Sequence, residues 1–171
     1  MAMTRRKAGV PVTIRPAVPA DVGALADIYL DSARHHHALD PAHFRVPEPV
    51  DVAERLSRIL AGQAETSAFL VAEIDGAVVG SMTARVEPMP SPGSMLMPTP
   101  TAEVGIAVLE AWRGRGVGSR LMDAGDRWAA KHGVARLMLD TFSANEGALR
   151  LYRRLGYEVK SVLLFKPVPG A

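Results

Sequence analysis

The apolar residues of this chain alternate between two rhythms, and the switches between them mark out its elements. Val12 to Arg15 is short and β-branched and predicts a first strand. Val22, Leu25, Ala26 and Tyr29 then recur at helical spacing behind Pro19, which suits a first turn, so a helix is expected to about Ala33. A second helix follows from Pro49 or Asp51 to Ala61, with Val52, Leu56, Ile59 and Leu60 on one face and Gly62 as its stop. Phe69 to Glu73 and Ala77 to Arg85 are strand-like runs joined across Asp75-Gly76, a hairpin signal. Val104 to Val108 is another β-branched run. A third helix presents Val117, Leu121, Met122, Gly125, Trp128 and Ala129 on one face and stops at Gly133. Val134 to Asp140 is expected to return as a strand parallel to Val104 to Val108 through a right-handed crossover. Ser143 and Glu146 have capping-box spacing for a fourth helix, with Ala148, Leu149, Tyr152 and Leu155 inward and Gly156 at its end. Val159 to Lys166 is expected to close the sheet.

That order predicts an α/β fold. Its central sheet is mixed and mostly antiparallel, flanked by helices, with one parallel strand pair. No internal repeat is visible. Two stretches break the rhythm. His35, His36 and His37 follow the first helix, but neighbours in sequence cannot all face one ion from a regular element, and no metalloprotease-type pair with a carboxylate accompanies them. No metal is expected; a solvated helix end or a contribution to an acceptor pocket remains. From Glu87 to Thr101, five prolines exclude an ordinary helix or central strand, while Met89, Met95, Leu96 and Met97 supply adaptable apolar surface. A mobile connection, a flap over a site and a dimer contact all fit.

Chemistry concentrates where the strand ending at Val108 meets the third helix. Arg113, Gly114, Arg115, Gly116, Val117, Gly118 and Ser119 form a glycine-rich loop opening into that helix. Glycines let backbone approach a ligand closely, and first-turn N–H groups lack intrahelical partners. The positive end of the helix dipole faces the same point. Two arginines add cations, so phosphate or pyrophosphate is the natural guest. A P-loop is disfavoured because Gly118-Ser119 lacks the lysine. The dinucleotide fingerprint is nearly matched by Gly114, Gly116 and Ser119, with Asp140 ending the next strand. Against it, five residues separate Val108 from Gly114, and little chain follows Asp140 to build a second Rossmann half. A ligand-free glycine connection is the plain alternative.

Composition narrows the setting. The chain has 171 residues, 48% of them hydrophobic, enough for one substantial core. Residues 1–10 are expected to form a disordered basic tail and residues 11–171 a single domain. No apolar run approaches the ~18 residues of a membrane span, and the basic start lacks the apolar segment of a secretory signal. The absence of cysteine rules out disulfides and a thiol nucleophile, and it fits a cytoplasmic protein. A formal charge of +2 is too small an excess to mark nucleic acid as the partner.

From Ala102 to Tyr157 the sequence resembles the GNAT superfamily of acyl-CoA-dependent N-acyltransferases. The family loop, Arg/Gln-x-x-Gly-x-Gly/Ala, is matched by Arg113, Gly116 and Gly118. A second signature, Asn-x-x-Ala-x-x-Leu-Tyr-x-x-x-Gly-Phe/Tyr, is matched by Asn145, Ala148, Leu151, Tyr152, Gly156 and Tyr157. The resemblance implies acetyl-CoA as co-substrate. Backbone groups of Ile106, Ala107 and Val108 would pair with the pantetheine arm as an added strand, where the two parallel strands splay. The loop from Arg113 to Ser119 would hold the pyrophosphate, with Asn145 on the pantetheine amide and Ala148 beside it. Asn145 is also a residue favoured at helix entries for its own local bonds. Tyr152 would protonate the departing thiolate; a phenol is neutral at pH 7 and needs no recharging. Otherwise it is a core tyrosine.

A base for the acceptor amine is less defined. Glu103 and Asp140 are the carboxylate candidates, either could instead be solvated or paired with arginine, and an amine arriving deprotonated needs neither. Without cysteine, acetyl transfer would be direct, within a ternary complex, to a primary amine on a small molecule or peptide. A homodimer is a further expectation. A non-catalytic acyl-CoA-binding regulator is the alternative from another class, and a dinucleotide enzyme stands third.

Overall fold

The computed structural model describes residues 11–168; the expected basic tail at 1–10 lies outside them. The chain divides into two compact units, one running to Asp140 and one beginning at Thr141.

In the first unit the elements run β1 (Thr13–Pro16), α1 (Val22–Leu39), α2 (Pro49–Ala61), β2 (Ser67–Ile74), β3 (Ala77–Val86), β4 (Thr101–Val108), α3 (Val117–Lys131) and β5 (Arg136–Met138). The strands form one sheet in the order β1-β2-β3-β4-β5. All neighbours are antiparallel except β4 and β5. Asp75 and Gly76 make the β2–β3 turn, with φ of 49° and 80°, the two positive values that a tight hairpin turn of this twist needs.

Register assigns the two faces of the sheet. Phe69 and Val71 of β2 stand opposite Thr83 and Ser81 of β3. They join Leu25, Ala26, Leu30, Val52 and Leu56 in one buried cluster, so α1 and α2 cover this face. The other face carries Gly80, Met82 and Ala84 on β3, opposite Val108, Ile106 and Val104 on β4. There α3 packs so closely that a Cβ on Gly125 would overlap the Met82 thioether, and one on Gly80 would lie 3.2 Å from Leu121 Cδ1. Fully buried Val117, Leu121 and Met122 on α3 complete that layer.

Five expectations need correction. Helix α1 continues through the histidines to Leu39; it stops at Asp40 (φ −153°), where the following Pro41 disfavours helical backbone. Strand β5 is shorter than Val134 to Asp140, and it pairs with Thr101–Glu103 instead of Val104 to Val108. The contacts that fix it all lie at the start of β4: Ala135 N–H and Arg136 N–H donate to Pro100 O, and the Arg136 guanidinium donates to Thr101 Oγ1. Trp128 is half-buried and stacks on His132, centroids 4.4 Å apart, in place of the core position its spacing suggested.

The fourth and fifth corrections lie in the second unit, which holds α4 (Glu146–Arg154). Val159 to Lys166 forms no strand, and Val162, Leu163 and Leu164 are among its exposed residues. Four consecutive apolar residues at 162–165 fit no single two-residue alternation, and β-branched composition makes a strand only where a partner's ladder fixes it. Helix α4 is capped by Asn145, whose Oδ1 accepts from Ala148 N–H at 3.1 Å, and not by Ser143 two residues earlier. Gly156, at φ 87°, follows its end.

Candidate functional site

Three features of the first unit lie along β4 and the loop that follows it. The first is an open strand edge. The parallel ladder with β5 ends at Glu103, so Val104–Val108 is hydrogen-bonded to β3 on one side and to no strand on the other among the described residues. In an antiparallel pair each residue turns both its N–H and its C=O to the same side, alternately. Leu109 N–H donates to Val79 O on β3. Counting back, Ala107 also faces β3, whereas Ile106 and Val108 face the open edge. Consistently, Val108 O is reached from that side by Arg113 Nε at 3.0 Å.

The second feature is the loop. Residues 110–112 form a single 3₁₀ turn, and then Gly114 (φ 72°) and Gly116 (φ 83°) carry the chain through the left-handed region. Gly116 is the N-cap of α3, and no acidic side chain lies in the helix's first turn. The N–H groups of Val117, Gly118 and Ser119 therefore open a 15-residue helix with its positive dipole end unopposed. A Cβ built on Gly114 or Gly116 would meet nothing within 4 Å, so backbone conformation, not crowding, requires glycine there.

The two arginines are held in different ways. Arg113 forms an ion pair with Asp31 on α1 while also bonding Val108 O, so it braces the loop between helix and strand. Arg115 lies over the Trp112 ring, 5.1 Å from its centroid. The sequence reading missed Asp31, which is 82 residues away and has no local signal.

The third feature is polar. On the face shared with α1 and α2, the positions beside Phe69 and Val71 of β2 are the register pairs Ser81–Ala107, Thr83–Gly105 and, next along the strands, Arg85–Glu103. Thr83, Arg85 and Gly105 are exposed. Arg85 Nη2 lies 2.8 Å from Glu87 and 3.0 Å from Glu103, so Glu103 is held in an ion pair. Asp140 is exposed beyond the end of β5.

On α1, the histidines make separate bonds. His36 Nδ1–H donates to Ser32 O at 2.8 Å and His37 Nδ1–H to Phe44 O at 2.7 Å. His36 also lines a cavity of about 250 Å³ with Tyr29, Ser32, Ala33, Phe44 and Arg45. No group of three or more His, Asp or Glu suited to a metal occurs among the described residues. No helix among them is long and apolar enough to cross a membrane.

In the second unit, Asn145 uses its side-chain oxygen as the α4 cap, and Ala148 is the donor it receives. Tyr152 is buried on the inner side of α4, its ring 5.7 Å from that of Tyr157. Burial pushes its phenol above the usual tyrosine range, because the phenolate would lose its hydration.

Comparison with known proteins agrees with this geometry. The acetyltransferase (GNAT) family matches residues 25–157. L-amino acid N-acetyltransferase AaaT of Escherichia coli (strain K12) is 36% identical over 95 residues, 53% of this chain and 53% of that protein. An N-alpha-acetyltransferase of Sulfurisphaera tokodaii is 36% identical over 103 residues, 57% of this chain and 60% of that protein. The chain thus spans little more than half the length of these two relatives. An aminoglycoside N(6')-acetyltransferase type 1 of Stenotrophomonas maltophilia is 29% identical over 157 residues, 92% of this chain and 93% of that protein. Among solved structures, the tetramutant of the BH1408 protein from Bacillus halodurans superposes with a TM-score of 0.82 at 23% identity, over 91% of this chain and 99% of that one. Aminoglycoside N-acetyltransferase AAC(6')-Iy in complex with CoA gives 0.66 at 24% identity, over 98% and 99%. Both superpositions speak to the fold.

Proposed function

The chain belongs to the acetyltransferase (GNAT) family, and on that premise we propose that it transfers an acetyl group from acetyl-CoA to a primary amine of a small molecule or peptide. The observation that carries the proposal is the open edge of β4 beside the uncapped start of α3. A pantetheine arm is an extended chain of amides. It would add to that edge as a strand, using the backbone of Ile106 and Val108, which the alternation turns outward. The diphosphate then falls at Arg113 to Ser119, where Gly114 and Gly116 allow close approach and α3 supplies N–H donors. A backbone N–H at Ile106 or Val108 would stabilise the oxyanion formed as the amine attacks the thioester. The Asn145 oxygen is spent on its cap, so its NH₂ group is what it would offer pantetheine, with Ala148 beside it.

Tyr152 supplies the proton to the departing thiolate in this reading. Its raised phenol keeps the proton through the neutral range. Glu103 or Asp140 would take the proton from the amine. For Glu103 this means giving up the ion pair with Arg85; Asp140 is exposed and free to act through water. The acceptors named for the relatives, amino acids and aminoglycosides, indicate the class to screen first. A cysteine-free chain suits a cytoplasmic setting. Exposed Met95, Leu96 and Met97 support assembly as a homodimer.

The test is to incubate the purified chain with acetyl-CoA and a broad amine library and to identify products by mass spectrometry. Acetylated product with CoA release supports the proposal. Tight CoA binding without turnover on any amine would replace it with the regulator reading, and preferential stabilisation by NAD(P) would replace it with the dinucleotide reading.

A further inference from the structure

Gly105 occupies an odd place. It sits in the interior of β4, where glycine weakens a strand relative to alanine. Usual reasons for keeping a glycine do not apply. Its φ is not in the left-handed region, since the positive values fall at Asp75, Gly76, Gly114, Gly116, Gly133 and Gly156. The β3–β4 register runs without a bulge past it. A Cβ built there would meet one atom within 4 Å among the described residues, Thr83 Oγ1 at 3.3 Å, and Thr83 is exposed and free to turn. By contrast, Gly125 is bare because Met82 fills the space, so this chain does use glycine for packing where packing calls for it.

What the chain's own packing does not explain, an approaching ligand does. The bare position faces the side of the sheet covered by α1 and α2 over β2 but left open at Thr83 and Gly105. It immediately precedes Ile106, whose backbone faces the open edge. An acyl group held along that edge would therefore be within one residue of the Thr83–Gly105 patch, and an amine attacking from this face must pass over it. We propose that Gly105 is a specificity-determining residue for the acceptor: its missing side chain is the clearance over which the carbon bearing the reactive amine rests. This rests on the acetyl-transfer reading above. The ligand chemistry it predicts is a primary amine on a substituted carbon, since an unbranched amine would not need the space.

The experiment compares wild type with Gly105→Ala and Gly105→Val, using saturating acetyl-CoA and primary amines graded from unbranched to branched at the nitrogen-bearing carbon. The fold should tolerate the alanine, with a thermal midpoint equal to or above wild type, and CoA affinity should stay within about threefold. One methylene of mismatch in a fitted site is worth about 10- to 200-fold in kcat/KM. A loss in that range is expected for branched amines with the alanine variant, a much smaller one for unbranched amines, and a steeper gradient with valine. A loss equal across the panel, an unchanged kcat/KM, or a raised CoA dissociation constant would overturn the proposal. So would recovery of branched-amine activity in Gly105→Ala/Thr83→Ala, because the effect would then run through a displaced Thr83. If wild type binds CoA but acetylates no amine at all, the acetyl-transfer reading itself has failed, and this inference falls with it.

Discussion

Gly116 separates what the loop costs the fold from what it gives the ligand. Its backbone sits at φ 83°, ψ 0°, and a Cβ there would touch nothing within 4 Å. Alanine and glutamate at this position should therefore carry the same structural penalty, that of a left-handed L-residue, about 1–2 kcal/mol. For a domain of this size that lowers the thermal midpoint by about 2–8 °C in either variant. The two differ in charge. A carboxylate about 5 Å from a phosphate repels it by roughly 0.8 kcal/mol at the dielectric of water and roughly 3.3 kcal/mol at an effective value near 20. Relative to Gly116→Ala, Gly116→Glu should then bind CoA about 4- to 250-fold more weakly. Calorimetry of both variants with CoA measures this directly. Repeating it at high salt adds a control, since the charge-specific part should shrink as screening rises. Equal CoA affinity in the two variants, with midpoints lowered alike, would show that no anion rests at the start of α3.

Tyr152→Phe retains the ring and its packing beside Tyr157; single-turnover acetylation should fall by about 10²–10⁴-fold with CoA affinity unchanged, and a fall within about threefold would return Tyr152 to the role of a core tyrosine. Gly125→Ala forces the Met82 thioether out of its seat against α3 and should cost about 1–3 kcal/mol in denaturant unfolding, and combined with Met82→Ala the total should fall short of the sum of the two single costs. Asp21 accepts from Arg15 Nη1 and Nη2 at 2.7 and 2.9 Å and from Val18 N–H at 2.8 Å, and this pairing holds its carboxyl below the usual range. Asp21→Asn should cost about 1.5–3 kcal/mol at neutral pH. Because the folded-state value is lowered, the wild-type advantage should be full above the ordinary aspartate pKa near 3.8 and should close only as pH falls below it.

The sequence was most legible where one residue's chemistry dictates the backbone. Asp75-Gly76, Gly116 and Gly156 required particular conformations, and the elements around them followed. Helical faces were readable too, since Val117, Leu121, Met122 and Ala129 reach the core as their spacing indicates. What was not legible depended on partners distant in sequence. Asp31 meets Arg113 across 82 residues, and Arg85 meets Glu103 across 18. Neither pair leaves a pattern in its own neighbourhood. The extent of β5 was misjudged for the same reason: Val134 to Asp140 is apolar enough to be a strand throughout, but Pro100 O and Thr101 Oγ1 fix only its first residues.

That misjudged register bears on how the fold generates a site. Had β5 paired along Val104–Val108, the backbone of Ile106 would be saturated inside the sheet, and β4 would have no edge to offer. Instead the anchoring interactions gather at Thr101–Glu103, and the chain is committed elsewhere on the far side of that point. Arg113 bonds Val108 O and Asp31, which sets the start of α3 against the last residues of β4. The open edge and the start of α3 are thus held together by one side chain, while the parallel pair is held apart by where its hydrogen bonds stop. Arg113 matches the first position of the family's loop motif, and in this chain it reaches a strand carbonyl with Nε and a helix carboxylate with Nη2 at once. A lysine would have to meet both acceptors from one atom, where Arg113 meets them from two nitrogens of a planar fork. On the proposed reading the loop motif would serve two separate tasks, glycines that admit the phosphate and an arginine that fixes where the phosphate will be.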